Sequence, residues 1–206
     1  MGISAIGGPL VVADNAFASM PEMNIGYITD VGMSWKLQHL PGRESVNLGK
    51  FLGLTGYRMT PDDMLALGLA STKIAAGEEL SLADAPLEPQ PSPLACWFDD
   101  IEATFGGSWA DIDGRLEAQP GEFAELVRDL TSKASPSSLV ATAELFEANA
   151  NQDLAGALDN ERNLGELMRR EPDFAEGVRA VLVDKGQAPE FAPQPDPDKY
   201  RAVLNF

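Results

Sequence analysis

Cysteine and histidine are nearly missing from these 206 residues, with one of each, Cys96 and His39. A lone cysteine rules out an internal disulfide and suits a reducing cytoplasm. Neither residue has a ligand at zinc-motif spacing, so no metal site is expected. One histidine and no G-x-S-x-G elbow exclude a Ser-His-Asp triad, and His39, beside Leu40 and Pro41, reads as structural. P-loop and G-x-G-x-x-G motifs are missing too, leaving the pairs Gly7, Gly8 and Gly106, Gly107 as turns. Basic residues are scarce: 15 Lys and Arg face 32 Asp and Glu, giving a net charge of −17. That balance excludes a phosphate-backbone partner, because nucleic-acid affinity comes from clustered cations. It would also repel anionic ligands unless a site is locally basic. No apolar run approaches the ~18 residues of a membrane span, and MGISAIGG lacks the basic and apolar regions of a signal peptide.

With 44% hydrophobic and 23% charged residues, the chain fits a soluble globular unit with a helical part rather than a disordered one. Three regions follow from its punctuation. Residues 1–76 mix short strands and helices. VVADNAFASM reads as extended, Val31 to Leu40 as a helix stopped by Pro41 and Gly42, and Asn47 to Leu54 as a helix closed by Gly56. Thr60 caps another helix, with Pro61 at its first position and Gly68 after its end, and LASTKI follows as a strand. Residues 77–93, with EPQPSP, read as a linker.

Residues 94–206 are predicted to be helical. Ser135 and Pro136 open a helix with Leu139, Ala143, Phe146 and Ala150 on one face, and Leu154, Leu158, Leu164 and Met168 mark the next. Pro172 opens one more, with Phe174, Val178 and Val181 on its buried side. The Pro-rich tail APQPDPDKYRAVLNF is predicted to run extended across the surface.

Two carboxylates eight residues apart, Glu22 and Asp30, stand in the Gly- and Pro-punctuated stretch MPEMNIGYITDVGMSWKLQHLPG, which carries no other acidic group. Spacing alone leaves two readings. Glu22 caps a turn and Asp30 caps the helix near Val31, or the pair is positioned for chemistry.

The ordered segments MPEMNIGYITDVG, LPG, FLGLTGYRMTPDDMLALGLAST, KASPSSL, LDNERNL and DFAEGVRAVLVDK span almost the whole chain. They resemble the 3-hydroxyisobutyryl-CoA hydrolase branch of the enoyl-CoA hydratase/isomerase, or crotonase, superfamily. The resemblance implies an α/β fold, a partial crotonase-like spiral core followed by a helical C-terminal region. It implies cleavage of a short hydroxyacyl-CoA thioester in valine breakdown, with coenzyme A as part of the substrate and no separate cofactor. Glu22 would attack the thioester carbonyl or activate water, and Asp30 would orient substrate or water. Gly26 and Met33 would belong to the substrate pocket.

Hydratases of the superfamily resemble one another in a glutamate twenty residues before the PE pair, where this chain has Gly2, which disfavours hydration. Relatives read FPDVGGSY where this chain has ITDVGMSW, so Thr29 replaces a proline and Met33 a glycine. They also carry a further N-terminal part holding strands of the core, much of the coenzyme A surface and an oxyanion-hole N–H. A Gly-Gly-Gly run with the second N–H would fall immediately before Met1. The expected partners are therefore an acyl-CoA and either a second copy of the chain or the missing N-terminal half. The alternatives are a non-catalytic remnant that serves as an assembly partner, or an enoyl-CoA hydratase/isomerase family member of other acyl specificity. Arg162, Arg179 and Lys185 are expected to form salt bridges rather than to bind coenzyme A phosphates.

Overall fold

The computed structural model describes residues 10–77, 86–185 and 187–206. In chain order, strand β1 (Leu10–Ala13) leads through a 3₁₀ turn (Glu22–Ile25) to the short helix α1 (Met33–Lys36). The hairpin β2 (His39–Leu40) and β3 (Arg43–Glu44), helices α2 (Val46–Thr55) and α3 (Pro61–Ala66), and strand β4 (Ala70–Ile74) follow. β1 and β4 pair in parallel, Ala13 opposite Ile74, with a register shift after Leu10.

Beyond a 3₁₀ turn at Pro93–Trp97 the chain is helical: α4 (Phe98–Thr104), α5 (Trp109–Ala118), α6 (Glu122–Thr131), α7 (Pro136–Asn149), α8 (Leu154–Met168), α9 (Pro172–Gly177) and α10 (Pro197–Arg201). The architecture is α/β with a helical C-terminal region, in agreement with the sequence.

Caps explain where the early helices begin and end. The Ser45 hydroxyl accepts from the Leu48 N–H at the start of α2, and Gly56 ends that helix at φ +61°. Thr60 and Asp63 form a reciprocal capping box on α3. Asp63 is fully buried, and its second oxygen accepts from the Ser92 hydroxyl at 2.6 Å and the Leu94 N–H at 2.9 Å, fastening the chain that leads into the helical region. Asp63→Ala orphans the Thr60 and Leu94 N–H groups together. It is expected to cost about 2 kcal/mol, read as a lower urea midpoint with unchanged m-value.

Two hydrophobic clusters hold these elements. The larger joins Met23, Met33, Phe51, Leu94, Phe105, Phe123 and Phe146, with the Phe51 and Phe105 rings edge-on at 5.3 Å. The smaller joins Ile28, Leu145, Leu164, Met168, Tyr200 and Leu204. Inside the structure Lys50 is fully buried and pairs with Glu147 while donating to the Gly107 carbonyl, so its charge is compensated. Gly107 takes φ +78° in the turn before α5, as expected of that glycine pair. The pair Gly7, Gly8 lies outside the described residues.

Several sequence expectations are corrected. VVADNAFASM is strand only to Ala13, then turns, and touches the fold again at an Ala18 to Met59 bridge. The helix expected over Val31 to Leu40 shrinks to four residues, because Val31 and Gly32 take positive φ before it, and Leu40, restricted by Pro41, joins a strand. Leu158 is 42% exposed, because the buried face of α8 runs through Ala157, Asn160, Glu161, Leu164, Gly165 and Met168. Val181 is exposed rather than buried, since a π-helical turn (Val178–Val183) follows α9 and hands the inward position to Ala180. The tail is not simply extended: Asp196 caps α10 with Pro197 at its first position, and Tyr200 and Leu204 are buried.

Candidate active site

Glu22 opens the 3₁₀ turn directly after Pro21, and Gly26 closes it at φ +71°. The turn is tied down by its backbone: the Glu22 carbonyl accepts from the Tyr27 N–H at 3.1 Å, and the Met23 carbonyl from the Ser135 N–H at 2.9 Å. The Glu22 side chain is treated differently. Its Oε2 is buried with no hydrogen-bond partner among the described residues. Burial pushes its pKa up to about 7, with the nearby Asp30 charge adding to the shift and its own backbone N–H opposing it.

Asp30 is half-buried, and burial raises its pKa also, against its own backbone N–H. It precedes two consecutive left-handed residues, Val31 at φ +53° and Gly32 at φ +79°. Positive φ is uncommon for a β-branched residue and marks a conformation imposed by its surroundings. Asp30 does not cap α1: the cap position is Gly32, without a side-chain bond, and only the Asp30 backbone carbonyl accepts from Met33 at 3.0 Å. Of the two readings of this carboxylate, capping is thereby removed.

The loop after Asp30 is gripped from α8. Glu161, 5% exposed, accepts from the Gly32 N–H at 2.8 Å, the Ser34 N–H at 3.2 Å and the Ser34 hydroxyl at 2.5 Å. Asn149 donates to the Ser34 hydroxyl, and Asn160 donates to Asn149 and to the Asn205 carbonyl, each at 2.8 Å. Sequence reasoning did not single out these residues. Their signal was the register of α8, in which Asn160 and Glu161 share the face of Leu164 and Met168. Thr29, where a proline was expected, is fully buried and donates to the Gly53 carbonyl at 3.1 Å.

Glu22 is held from a second side. A Cβ built on Gly26 would lie 2.4 Å from the Asp173 carbonyl oxygen, and one on Gly177 would lie 2.4 Å from the Ile25 carbonyl carbon. Asp173, 2% exposed, takes the Ser135 hydroxyl at 2.6 Å and the Ala192 N–H at 2.9 Å. DFAEGVRAVLVDK therefore braces the glutamate's turn. Met33 is fully buried in the larger cluster, so close packing accounts for the identities of both Gly26 and Met33.

Pro21 also borders a groove of about 710 Å³, together with Phe17, Arg58, Asp129 and Lys133. The Arg58 guanidinium lies over the Phe17 ring, 3.7 Å from its centre. Elsewhere Arg162 pairs with Asp159, and Arg179 with Glu176 and Asp184, as expected, whereas the exposed Lys185 forms no salt bridge among the described residues. His39 stacks on Trp35 and bonds its carbonyl through Nδ1 at 2.8 Å, a structural role. Among the described residues no three His, Cys, Asp or Glu side chains gather as they would around a metal ion. Gly2 and the residues around Met1 lie outside the described residues.

Residues 1–199 match the model of a family described as enoyl-CoA hydratase/isomerase. This chain belongs to that family. Curated relatives agree: the mitochondrial 3-hydroxyisobutyryl-CoA hydrolase of Dictyostelium discoideum is 31% identical over 94% of the chain, and that of Homo sapiens 30% over 94%. The chain spans 56% and 55% of their respective lengths. Among solved structures, a carnitinyl-CoA dehydratase from Mycobacterium thermoresistibile matches the whole chain and 64% of its own, at 29% identity and a TM-score of 0.80. An enoyl-CoA hydratase from Rhodobacter sphaeroides matches 95% of the chain and 61% of its own, at 31% identity and a TM-score of 0.75. The enoyl-CoA hydratase/isomerase fold therefore covers the segment that carries Glu22 and Asp30. Among the described residues, no helix is long and apolar enough to cross a membrane.

Proposed function

We propose that this chain supplies the carboxylate side of an acyl-CoA thioester hydrolase site whose substrate is 3-hydroxyisobutyryl-CoA. The observation that carries the reading is the buried, unpartnered Glu22 carboxyl oxygen, with a pKa near 7. A carboxylate desolvated to that degree is ionised in part at neutral pH and basic enough to take a proton from water. In the reaction, water adds to the thioester carbonyl carbon as Glu22 accepts its proton, and the C–S bond breaks to give the acid and the coenzyme A thiol. Direct attack by Glu22 followed by hydrolysis of the resulting anhydride reaches the same products. Asp30 orients the water or the hydroxyacyl group. Gly26 and Met33 shape the acyl site from beneath, through the packing that fixes the two carboxylates.

Several further points support the assignment. The two hydrolase relatives align over nearly all of this chain, and the Pro21 groove offers Arg58 and Lys133 to an anionic ligand despite the overall negative charge. A reducing cytoplasm suits the free, exposed Cys96. The chain spans about half the length of those relatives, and in the proposed reaction the oxyanion donors are supplied by an added crotonase N-terminal half.

The test is a thiol-release assay with 3-hydroxyisobutyryl-CoA, run on the chain alone and with a crotonase N-terminal half, alongside hydration of crotonyl-CoA. Thiol release in the complemented mixture without hydration is the expected result. Hydration without thiol release would replace the hydrolase reading by a hydratase one. Silence in both assays would leave the chain as an assembly partner.

A further inference from the structure

We propose that Glu161 is a positioning residue for Asp30, its carboxylate holding the Val31–Gly32 backbone in the left-handed conformation that aims the aspartate. The inference rests on the role proposed above for Asp30. Three donors from the loop converge on Glu161: the Gly32 N–H and the Ser34 N–H take one carboxylate oxygen each, and the Ser34 hydroxyl shares the second. Only an acceptor at both oxygens satisfies that set, which distinguishes a carboxylate from an amide or an apolar residue. The site is otherwise a poor place for a charge. Glu161 is buried, and burial raises its pKa, with the three hydrogen bonds working against that and the Asp30 charge adding to it. Packing of α8 alone would be met by an apolar residue in the same register as Leu164.

The neighbouring residue extends the grip. Asn160 exchanges hydrogen bonds with the backbone of Asn205, taking its N–H and donating to its carbonyl at 2.8 Å each. Consecutive residues of one helix thus tie the end of the chain and the loop after Asp30 to the same support. The left-handed Val31 is what needs it, because nothing in a valine favours that conformation.

The experiment compares Glu161→Gln with Arg162→Ala, an exposed neighbour on α8, by amide hydrogen exchange and by thiol release with the N-terminal half present. An amide in place of the carboxylate sets a donor against a loop N–H. Exchange at Gly32 is therefore expected to rise about tenfold or more, while amides of α2 stay within about twofold. In turnover, kcat falls about tenfold with KM within twofold, and Arg162→Ala changes neither readout. Unchanged exchange at Gly32 and Ser34, or acceleration spread evenly through the chain, would overturn the proposal. If the unsubstituted protein releases no thiol, the hydrolase reading fails and exchange alone decides whether Glu161 holds the loop. If Glu161→Gln does not fold, Glu161→Asp decides: the shorter carboxylate keeps its charge but cannot reach the Gly32 and Ser34 N–H groups together, so faster exchange confined to those two amides supports the role and unchanged exchange overturns it.

Discussion

Glu22→Gln is expected to stabilise the protein at pH 8 while reducing thiol release by a factor of about 10² to 10⁴. The two effects have one origin. In the folded chain the Glu22 pKa stands at about 7 against 4.5 for a solvated glutamate, so the folded state keeps a proton that the unfolded state releases between those values. Below pH 4.5 both states are protonated and nothing is lost. As pH rises from 4.5 to 7 stability falls, and above 7 the full penalty of ionising a largely buried carboxylate, whose Oε2 has no partner among the described residues, is present. Glutamine carries no charge at any pH and removes the penalty. Discounted for the part of the side chain that reaches solvent, the gain at pH 8 is about 1–3 kcal/mol, vanishing at pH 4. Thermal melts of both proteins at pH 4 and pH 8 test this directly. A gap between the two that does not change with pH would mean that Glu22 is solvated or paired in the folded state, and would remove the physical basis for its role as base.

Gly177→Ala is expected to destabilise the fold by about 3 kcal/mol, against the direction that helix propensity alone dictates. Gly177 ends α9 at φ −62° and ψ −44°, ordinary helical values at which alanine is preferred by about 1 kcal/mol. The added methyl, however, would sit 2.4 to 2.5 Å from three backbone atoms of Ile25, with no flexible side chain to yield. The contact outweighs the propensity, and α9 must separate from the 3₁₀ turn that bears Glu22. The same substitution is therefore expected to reduce thiol release well beyond the loss of folded protein. Urea denaturation measures the first effect, and activity normalised to folded fraction the second. A variant at least as stable as the parent would show that the close approach is relieved at little cost.

Helix starts and stops were legible because their residues act locally. Thr60 with Pro61 and Ser135 with Pro136 each satisfy an N–H group three residues on, and each cap forms as read, while Ser45, not read as a cap, closes the start of α2 in the same way. What the sequence concealed depends on distant partners. Glu161 contacts Gly32 from 129 positions away, and a search for apolar periodicity passes over a face whose members include a glutamate and an asparagine. Val181 was misplaced because a π-turn advances the register after α9, which no local composition announces. The Pro-rich tail was read as extended, yet Asp196-Pro197 opens a helix that buries Tyr200. For the candidate site, Glu22 and Asp30 stood out by their isolation among apolar residues, and the turn chemistry around them was visible as glycine and proline. Their support was not, because it is built from α8 and α9.

The segment from Met23 to Met33 contributes Met23 and Met33 to the larger cluster and Ile28 to the smaller. It is the seam along which two interiors meet, with Glu22 just before its start and Asp30 within its last turn. Their separation is accordingly not a property of either turn but of how the two interiors are filled. A change of side-chain volume deep in one of them, for example at Leu145 or Phe51, would alter the gap between Glu22 and Asp30 without touching a single residue of the site. Under the proposed function, acyl preference can drift through the interior while the motif stays the same.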